Sequence, residues 1–438
     1  MFTSTHLLKQ RRFLPLFATQ LFNAFNDNLY KNAMVLFAVY SVYNSEEAEA
    51  RFSAIASGVF ILPFFLLSAL AGQLADMRDK AMIIRRVKLA EIFIMLVGGL
   101  GLIMAWQGLL MESMAMPLML LALFAMGIHS TFFGPIKYAI LPQHLKRQEV
   151  LSGTGLVEAG TYIAILLGTV VAGYLAVEWA ALAVILVALA GYATSLSVPP
   201  APPFHAGQPI DRNVLRSSIA LVRSTMHQRE VFYAILAISF FWTIGAVLFI
   251  QFPPLAKNVL FASKEVASLF LVIFSIGVAI GSVAINALLK GEVSARYSPV
   301  AVIAMGVFVA AFYLVCREWT ADIPDSDLMG VGTFVSQPLA PLVLFTLLLI
   351  AISGGMFVVP LYAFLTTRCD PAQAARTVAA NNIVNSGAMV GGSLLAGGLS
   401  AFGVPLVEQL LLSAAMCLVS AWLGLRLHRA ERLAALPA

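Results

Sequence analysis

Residues 166–173 read Leu-Leu-Gly-Thr-Val-Val-Ala-Gly, and residues 390–397 read Val-Gly-Gly-Ser-Leu-Leu-Ala-Gly. The two strings lie 224 positions apart, and the same shift sets Tyr138-Ala139 on Tyr362-Ala363, Leu141 on Leu365 and Glu158 on Asn382. One constant offset across two long apolar stretches marks a chain built twice. The setting of the repeat decides its solvent. Of 438 residues 60% are hydrophobic and 11% charged, with mean hydropathy +0.90. A soluble domain is about 45–50% apolar and about one quarter charged, so too few charges remain here to cover a surface. The chain is an all-α polytopic membrane protein.

Working outward from the repeat, twelve apolar blocks follow one another near 13–40, 52–75, 84–107, 116–141, 151–176, 179–198, 230–255, 265–289, 299–316, 341–366, 376–401 and 404–425. Each crosses about 30 Å of hydrocarbon as a helix. Segments of about ten alternating residues, the mark of a membrane β-barrel, are absent. The first block follows Lys9, Arg11 and Arg12 like a signal peptide but is too long and carries Asn26-Asp27-Asn28, so it is expected to stay as a span.

The basic residues orient the chain. Alternate connections carry 21 of the 27, including Arg78, Lys80, Arg85, Arg86 and Lys88 after the second span, whereas the opposite side holds only Arg51, Lys257, Lys264 and Arg317. This bias puts both termini in the cytoplasm and requires an even number of spans. Between the sixth and seventh blocks lies Pro199-Pro200-Ala201-Pro202-Pro203, then a polar stretch to about Arg229. Within it Leu215, Ile219, Val222 and Met226 recur at helical spacing, flanked by Arg212, Arg216 and Arg223, which predicts a basic amphipathic helix on the inner membrane face. The expected organisation is therefore a six-helix bundle over 1–198, a linker over 199–229 and a second bundle over 230–438.

Other classes fall away. Cys316, Cys369 and Cys417 are too few for a disulfide scaffold, and the basic residues are scattered between apolar blocks rather than gathered for nucleic acid. The six histidines are dispersed and there is no phosphate-cradling loop. No catalytic residue, metal or cofactor is expected.

Gly72-Gln73-Leu74-Ala75-Asp76-Met77-Arg78-Asp79-Lys80 follows the second span. It resembles the major facilitator signature G-x-L-x-D-x-x-G-R/K-R/K, with Asp79 where a glycine is usual. Gly72 permits close helix approach, while Asp76 with Arg78 and Lys80 forms a candidate cytoplasmic gate. The corresponding stretch of the second half, Gly281 to Lys290, lacks the acidic residue. Parallel six-span repeats likewise imply a major facilitator fold of twelve transmembrane helices in two halves.

Charges inside spans cost about 2.5–3.5 kcal/mol each at a helix centre on insertion scales. The first span holds Asn23, Asp27 and Lys31 on one face, where Asp27 and Lys31 can pair. The fourth holds His129 and Lys137 and the fifth Glu158. Asp27, Lys137 and Glu158 are the leading candidates for substrate contact, with Asn23, Lys31, Tyr138, Trp242, Asn382 and Asn385 beside them. Glu91 and Lys88, three apart near a cytoplasmic end, read as a local pair with a snorkelling lysine. Interhelical hydrogen bonding without any substrate role is the competing reading of all these polar groups.

Further segments resemble one branch of the major facilitators, the bacterial lysophospholipid transporters. They are Thr19 to Asn28, which contains Ala24-Phe25-Asn26-Asp27-Asn28, and Phe133-Gly134-Pro135-Ile136-Lys137-Tyr138-Ala139-Ile140-Leu141. With them stand Gly155-Leu156-Val157-Glu158-Ala159, Gly354 to Leu361, and Asn381-Asn382 with Asn385-Ser386. The resemblance implies movement of lysophospholipids, chiefly lysophosphatidylethanolamine, from the outer to the inner leaflet of the bacterial inner membrane for re-acylation. It implies a monomer in membrane lipid, served by a separate acyltransferase and acyl-carrier-protein ligase, since the chain stops soon after its last span. Some members of the branch carry a basic residue shortly after the Phe-Trp of the seventh span. Here Phe241-Trp242 is followed by Thr243 to Phe252 without one, so Lys137 or Lys31 would have to meet the phosphate. The rival within transport is a proton-coupled exporter of drugs or other amphiphiles, and the rival outside it is a non-transporting membrane scaffold.

Overall fold

A computed structural model of the chain describes residues 4–42, 46–204, 210–319 and 328–434. Twelve long helices stand in the described residues. In chain order they are α1 (Leu14–Phe37), α2 (Glu46–Met77), α3 (Lys80–Trp106), α4 (Met116–Ala139), α5 (Val150–Tyr174) and α6 (Val177–Ser195). Then come α7 (Arg229–Asn258), α8 (Lys264–Leu289), α9 (Ser298–Arg317), α10 (Ala340–Thr367), α11 (Ala374–Ala401) and α12 (Leu406–Ala434). Ten of them are long and apolar enough to cross a membrane. The other two are α1 and α11, which carry the intramembrane asparagines. Their polar faces turn inward: Asn23, Asn26, Asp27, Asn381 and Asn385 are all buried.

The helices group into two units. The first is Met1–Ser224 with Thr366–Ile383, and the second is Thr225–Leu365 with Val384–Ala438. In the first, Leu29, Tyr30, Met34, Met95, Met119 and Met126 form a fully buried core, and the Tyr30 hydroxyl donates to the Met119 carbonyl at 2.9 Å. In the second, a ladder of aromatic contacts links Phe249, Phe252, Phe270 and Phe274 with Phe334.

The repeat has a packing reason. A Cβ on Gly168 would lie 2.5 Å from the Phe25 carbonyl oxygen of α1, so α5 and α1 meet there at backbone distance. Its repeat partner Gly392 in α11 is also closely approached, here by the Thr243 side chain of α7 rather than by backbone. Gly173 and Gly397, equally duplicated, face open space. Only the first pair is demanded by close approach, the usual role of small residues between membrane helices.

The linker is pinned to the turn between α2 and α3. The Ala201 N–H donates to Asp79 Oδ2 at 3.1 Å and Lys80 N–H donates to the Ala201 carbonyl at 3.0 Å. Arg85 donates to the Val198 carbonyl at 2.9 Å. The predicted amphipathic helix forms over Val214–Thr225. Leu215 and Ile219 on its apolar stripe are exposed, and Arg216 grips Asp211 through two hydrogen bonds of 3.0 and 2.9 Å. That contact holds the Asp211 carboxyl below its ordinary range.

Candidate functional site

Asp27 is buried on α1, and its Oδ2 accepts from Ser130 of α4 at 2.6 Å and from Asn23 at 3.1 Å. Its Oδ1 has no hydrogen-bond partner among the described residues. Lys31 does not pair with Asp27 as the four-residue spacing suggested; its ammonium lies 5.7 Å from the Phe60 ring centre. The carboxylate is already served by two neutral donors, and an aromatic face stabilises the cation instead.

Lys137 and Glu158 stand on α4 and α5. Tyr138 donates its hydroxyl to Glu158 Oε1, and Glu158 Oε2 is buried without a partner. The Lys137 ammonium sits 4.8 Å from the Tyr138 ring centre, and Glu158 and Asp27 are the two carboxylates acting on it. Pro135 lies in the same turn of α4. Asn382 stands beside Gly134, one turn before Lys137, its amide nitrogen 3.5 Å from the place a Cβ would take, an ordinary contact distance. In the second unit the predicted polar residues engage one another's neighbours: Trp242 Nε1 donates to the Tyr362 hydroxyl at 2.8 Å, and Ser239 donates to Asn385 at 2.6 Å.

The signature residues divide by role. Gly72 packs against the start of α11, where a Cβ would lie 2.7 Å from Ala379 Cβ and 3.0 Å from Arg376 Cα. Asp76 accepts the backbone N–H groups of Ala375 and Arg376 at 3.0 and 2.9 Å, with the Arg376 guanidinium 3.9 Å away. A carboxylate at a helix N-terminus satisfies orphan donors and meets the positive end of the dipole. Arg376 is the basic partner of Asp76, while Lys80 is buried and Arg78 is exposed. Asp79 stands at φ −59°, which needs no glycine, and caps α3 by accepting from Met82 N–H at 2.9 Å.

The local Lys88–Glu91 pair forms as expected, but not at the surface. Lys88 does not snorkel: it and Glu91 are fully buried and ion-paired. Glu91 also accepts from Asn26 at 2.8 Å and faces His129 Nε2 at 3.3 Å. Lys88 lies 3.5 Å from Asn23 Oδ1, so this cluster runs on to Asp27. Gly191 of α6 makes room for the lysine: a Cβ there would come within 2.8 Å of Lys88 Cε. No group of three or more metal-ligating side chains occurs among the described residues.

Residues 16–335 match the family description Major Facilitator Superfamily. A lysophospholipid transporter of Citrobacter koseri is 26% identical over 386 residues, covering 86% of this chain and 85% of its own. One of Yersinia pestis is 25% identical over 369 residues, covering 82% and 80%. Among solved structures, the human organic anion transporter MFSD10 superposes with TM-score 0.70 at 13% identity, over 95% of this chain and 99% of its own. A bacterial homologue of the iron transporter ferroportin, outward-facing, gives 0.69 at 12% identity, over 97% and 100%. The proton:xylose symporter XylE gives 0.66 at 12% identity, over 98% and 99%.

Proposed function

Because this chain belongs to the major facilitator superfamily of secondary transporters, we propose that it carries lysophospholipids, chiefly lysophosphatidylethanolamine, across the bacterial inner membrane by alternating access. The direction is outer to inner leaflet, with both termini cytoplasmic and re-acylation left to a separate acyltransferase and acyl-carrier-protein ligase. The carrier acts as a monomer in membrane lipid and needs no cofactor.

The observation that carries this reading is the charge arrangement of the first unit. A lysine stacked on Tyr138 has no ion-pair partner within 4.0 Å among the described residues, and the two carboxylates acting on it each keep one buried oxygen unpartnered. A buried acceptor left without a donor costs about 1–3 kcal/mol, so the site favours a ligand that supplies one. A zwitterion does: its phosphate suits Lys137, and its ammonium suits Asp27 Oδ1 or Glu158 Oε2. Distant relationship to lysophospholipid transporters supports the acyl-bearing form of that zwitterion.

The test is leaflet-resolved uptake of lysophosphatidylethanolamine into vesicles holding the full chain. Asp27→Ala, Lys137→Ala and Glu158→Ala each abolish uptake while the purified variants keep their elution position and melting temperature. Normal transport by all three overturns the assignment. Export of cationic dyes without lysolipid uptake would give the protein to the drug-exporter reading instead.

A further inference from the structure

The five basic residues between α2 and the first turns of α3 do not share one job. Arg85 is spent on the Val198 carbonyl, Lys88 on Glu91, and Lys80 is buried against the linker. Arg78 and Arg86 remain exposed, with no hydrogen bond or ion pair among the described residues. Both line the same cavity, of about 380 Å³, beside α2, α3 and α4 in the first unit. That volume falls in the range of small-ligand sites, about 300–1,000 Å³.

The walls of this cavity are apolar. Leu74 comes from α2, Met82 and Ile94 from α3, and Ile128 and Phe132 from α4. Buried His129, already facing Glu91, closes the wall on the α4 side. None of the twelve lining residues is acidic. The neighbouring outward face of α3, with Leu89, Phe93, Leu96 and Leu100 exposed, is one that lipid covers in a membrane helix. An apolar cleft on a lipid-covered face with two uncommitted guanidiniums at one end matches an amphiphile: acyl chain inward, phosphate at the arginines. A free inorganic anion would meet the arginines and leave the apolar wall without a partner. A zwitterionic head group would find no carboxylate for its ammonium.

We infer that the cleft between α2, α3 and α4 is a binding site for an intact phospholipid with a net negative head group, its phosphate held by Arg78 and Arg86. The charge bias of the connections puts it in the cytoplasmic leaflet. The site is separate from Asp27, Lys137 and Glu158, whatever substrate the protein carries.

Native mass spectrometry of the purified full chain tests this, with phosphatidylglycerol and phosphatidylcholine of identical acyl chains as competing probes. The wild type retains phosphatidylglycerol in preference. Arg78→Gln with Arg86→Gln weakens that preference roughly 30-fold, since each cation near an anionic lipid contributes about a fivefold factor. Arg78→Lys with Arg86→Lys keeps most of it, which separates lost charge from lost folding. Ala90→Trp, filling the cleft, lowers retention of phosphatidylglycerol by the site while leaving the melting temperature of the lipid-stripped protein unchanged. Equal retention of both lipids by the wild type, or an undiminished preference in the double glutamine variant, overturns the inference. Displacement of phosphatidylglycerol by millimolar inorganic phosphate would reassign the arginines to a free anion and overturn it too.

Discussion

The carboxylate of Asp76 accepts the backbone N–H of Arg376 at 2.9 Å, across 300 residues of chain. The neighbouring Ala375 N–H donates to its other oxygen at 3.0 Å. The signature aspartate thus works as a detached cap for α11, within the first unit. Replacing a capping carboxylate by alanine costs about 0.5–2 kcal/mol, with the helix-dipole interaction included at the upper end. Asp76→Ala should therefore raise amide hydrogen exchange at Ala375 to Ala379 by roughly 2- to 30-fold and slow transport. Unchanged exchange there would remove Asp76 from the proposed gate.

Asp79 stands where the signature has glycine, and restoring the glycine should make the protein less stable. The residue has negative φ, caps α3 through Met82 and holds the linker through Ala201. Glycine keeps neither hydrogen bond, each worth about 0.5–1.5 kcal/mol net. Asp79→Gly should lower stability by about 1–2 kcal/mol and expose the linker near Pro200 to protease. A melting temperature at or above wild type would contradict this.

The Lys88–Glu91 pair should behave as a buried unit. Removing one partner of such a pair costs about 3–5 kcal/mol, because the other is left as an unpaired charge, whereas an apolar replacement of both is often close to neutral. Glu91→Leu alone should unfold the purified protein at markedly lower temperature, and Lys88→Met added to it should recover most of the loss. Additive damage in the double variant would show that each residue acts through separate contacts.

Two duplicated glycine pairs should respond in opposite ways to alanine. Gly168→Ala and Gly392→Ala drive a methyl group into Phe25 and Thr243, a clash of the kind that costs about 1–3 kcal/mol. Gly173→Ala and Gly397→Ala meet nothing, and replacing glycine inside a helix by alanine gains about 0.5–1 kcal/mol. Melting curves of the four single variants check this, and a loss at Gly173 or Gly397 equal to that at Gly168 would refute it.

The fold was legible because lipid makes span length, charge bias and repeat offset nearly sufficient: Leu166 to Gly173 and its partner string already marked the duplication. α1 and α11 are not among the ten most clearly apolar helices, yet both stand among the twelve apolar blocks of the sequence, and the charge bias requires an even number of spans. The site was legible as a set of residue types, since Asp27, Lys137 and Glu158 are conspicuous within apolar runs. Partners on the same helix were legible, as in Asn23 with Asp27 and Lys88 with Glu91. Partners on other helices were not, because spacing along one helix says nothing about the helix opposite. Asp27 takes Ser130 from α4 rather than Lys31 from its own face. Lys88 is buried because Gly191 of α6 makes room for it, a fact no window around Lys88 contains.

The polar character of α1 also governs how the protein is made. Asp27 and Lys31 each add about 2.5–3.5 kcal/mol to the cost of releasing this helix into hydrocarbon, and its partners on other helices are all synthesised later. Asn26 waits for Glu91 of α3 and the Val184 carbonyl of α6, Tyr30 for the Met119 carbonyl of α4, and Asn32 for Thr169 of α5. The helix thus leaves the ribosome before every other helix that satisfies it. It must be retained at the translocon, or shielded by an insertase, until α6 emerges. Lesions in α3 to α6 that remove its partners will therefore be read by the cell as failed insertion of α1, well before any carrier exists to be inactive.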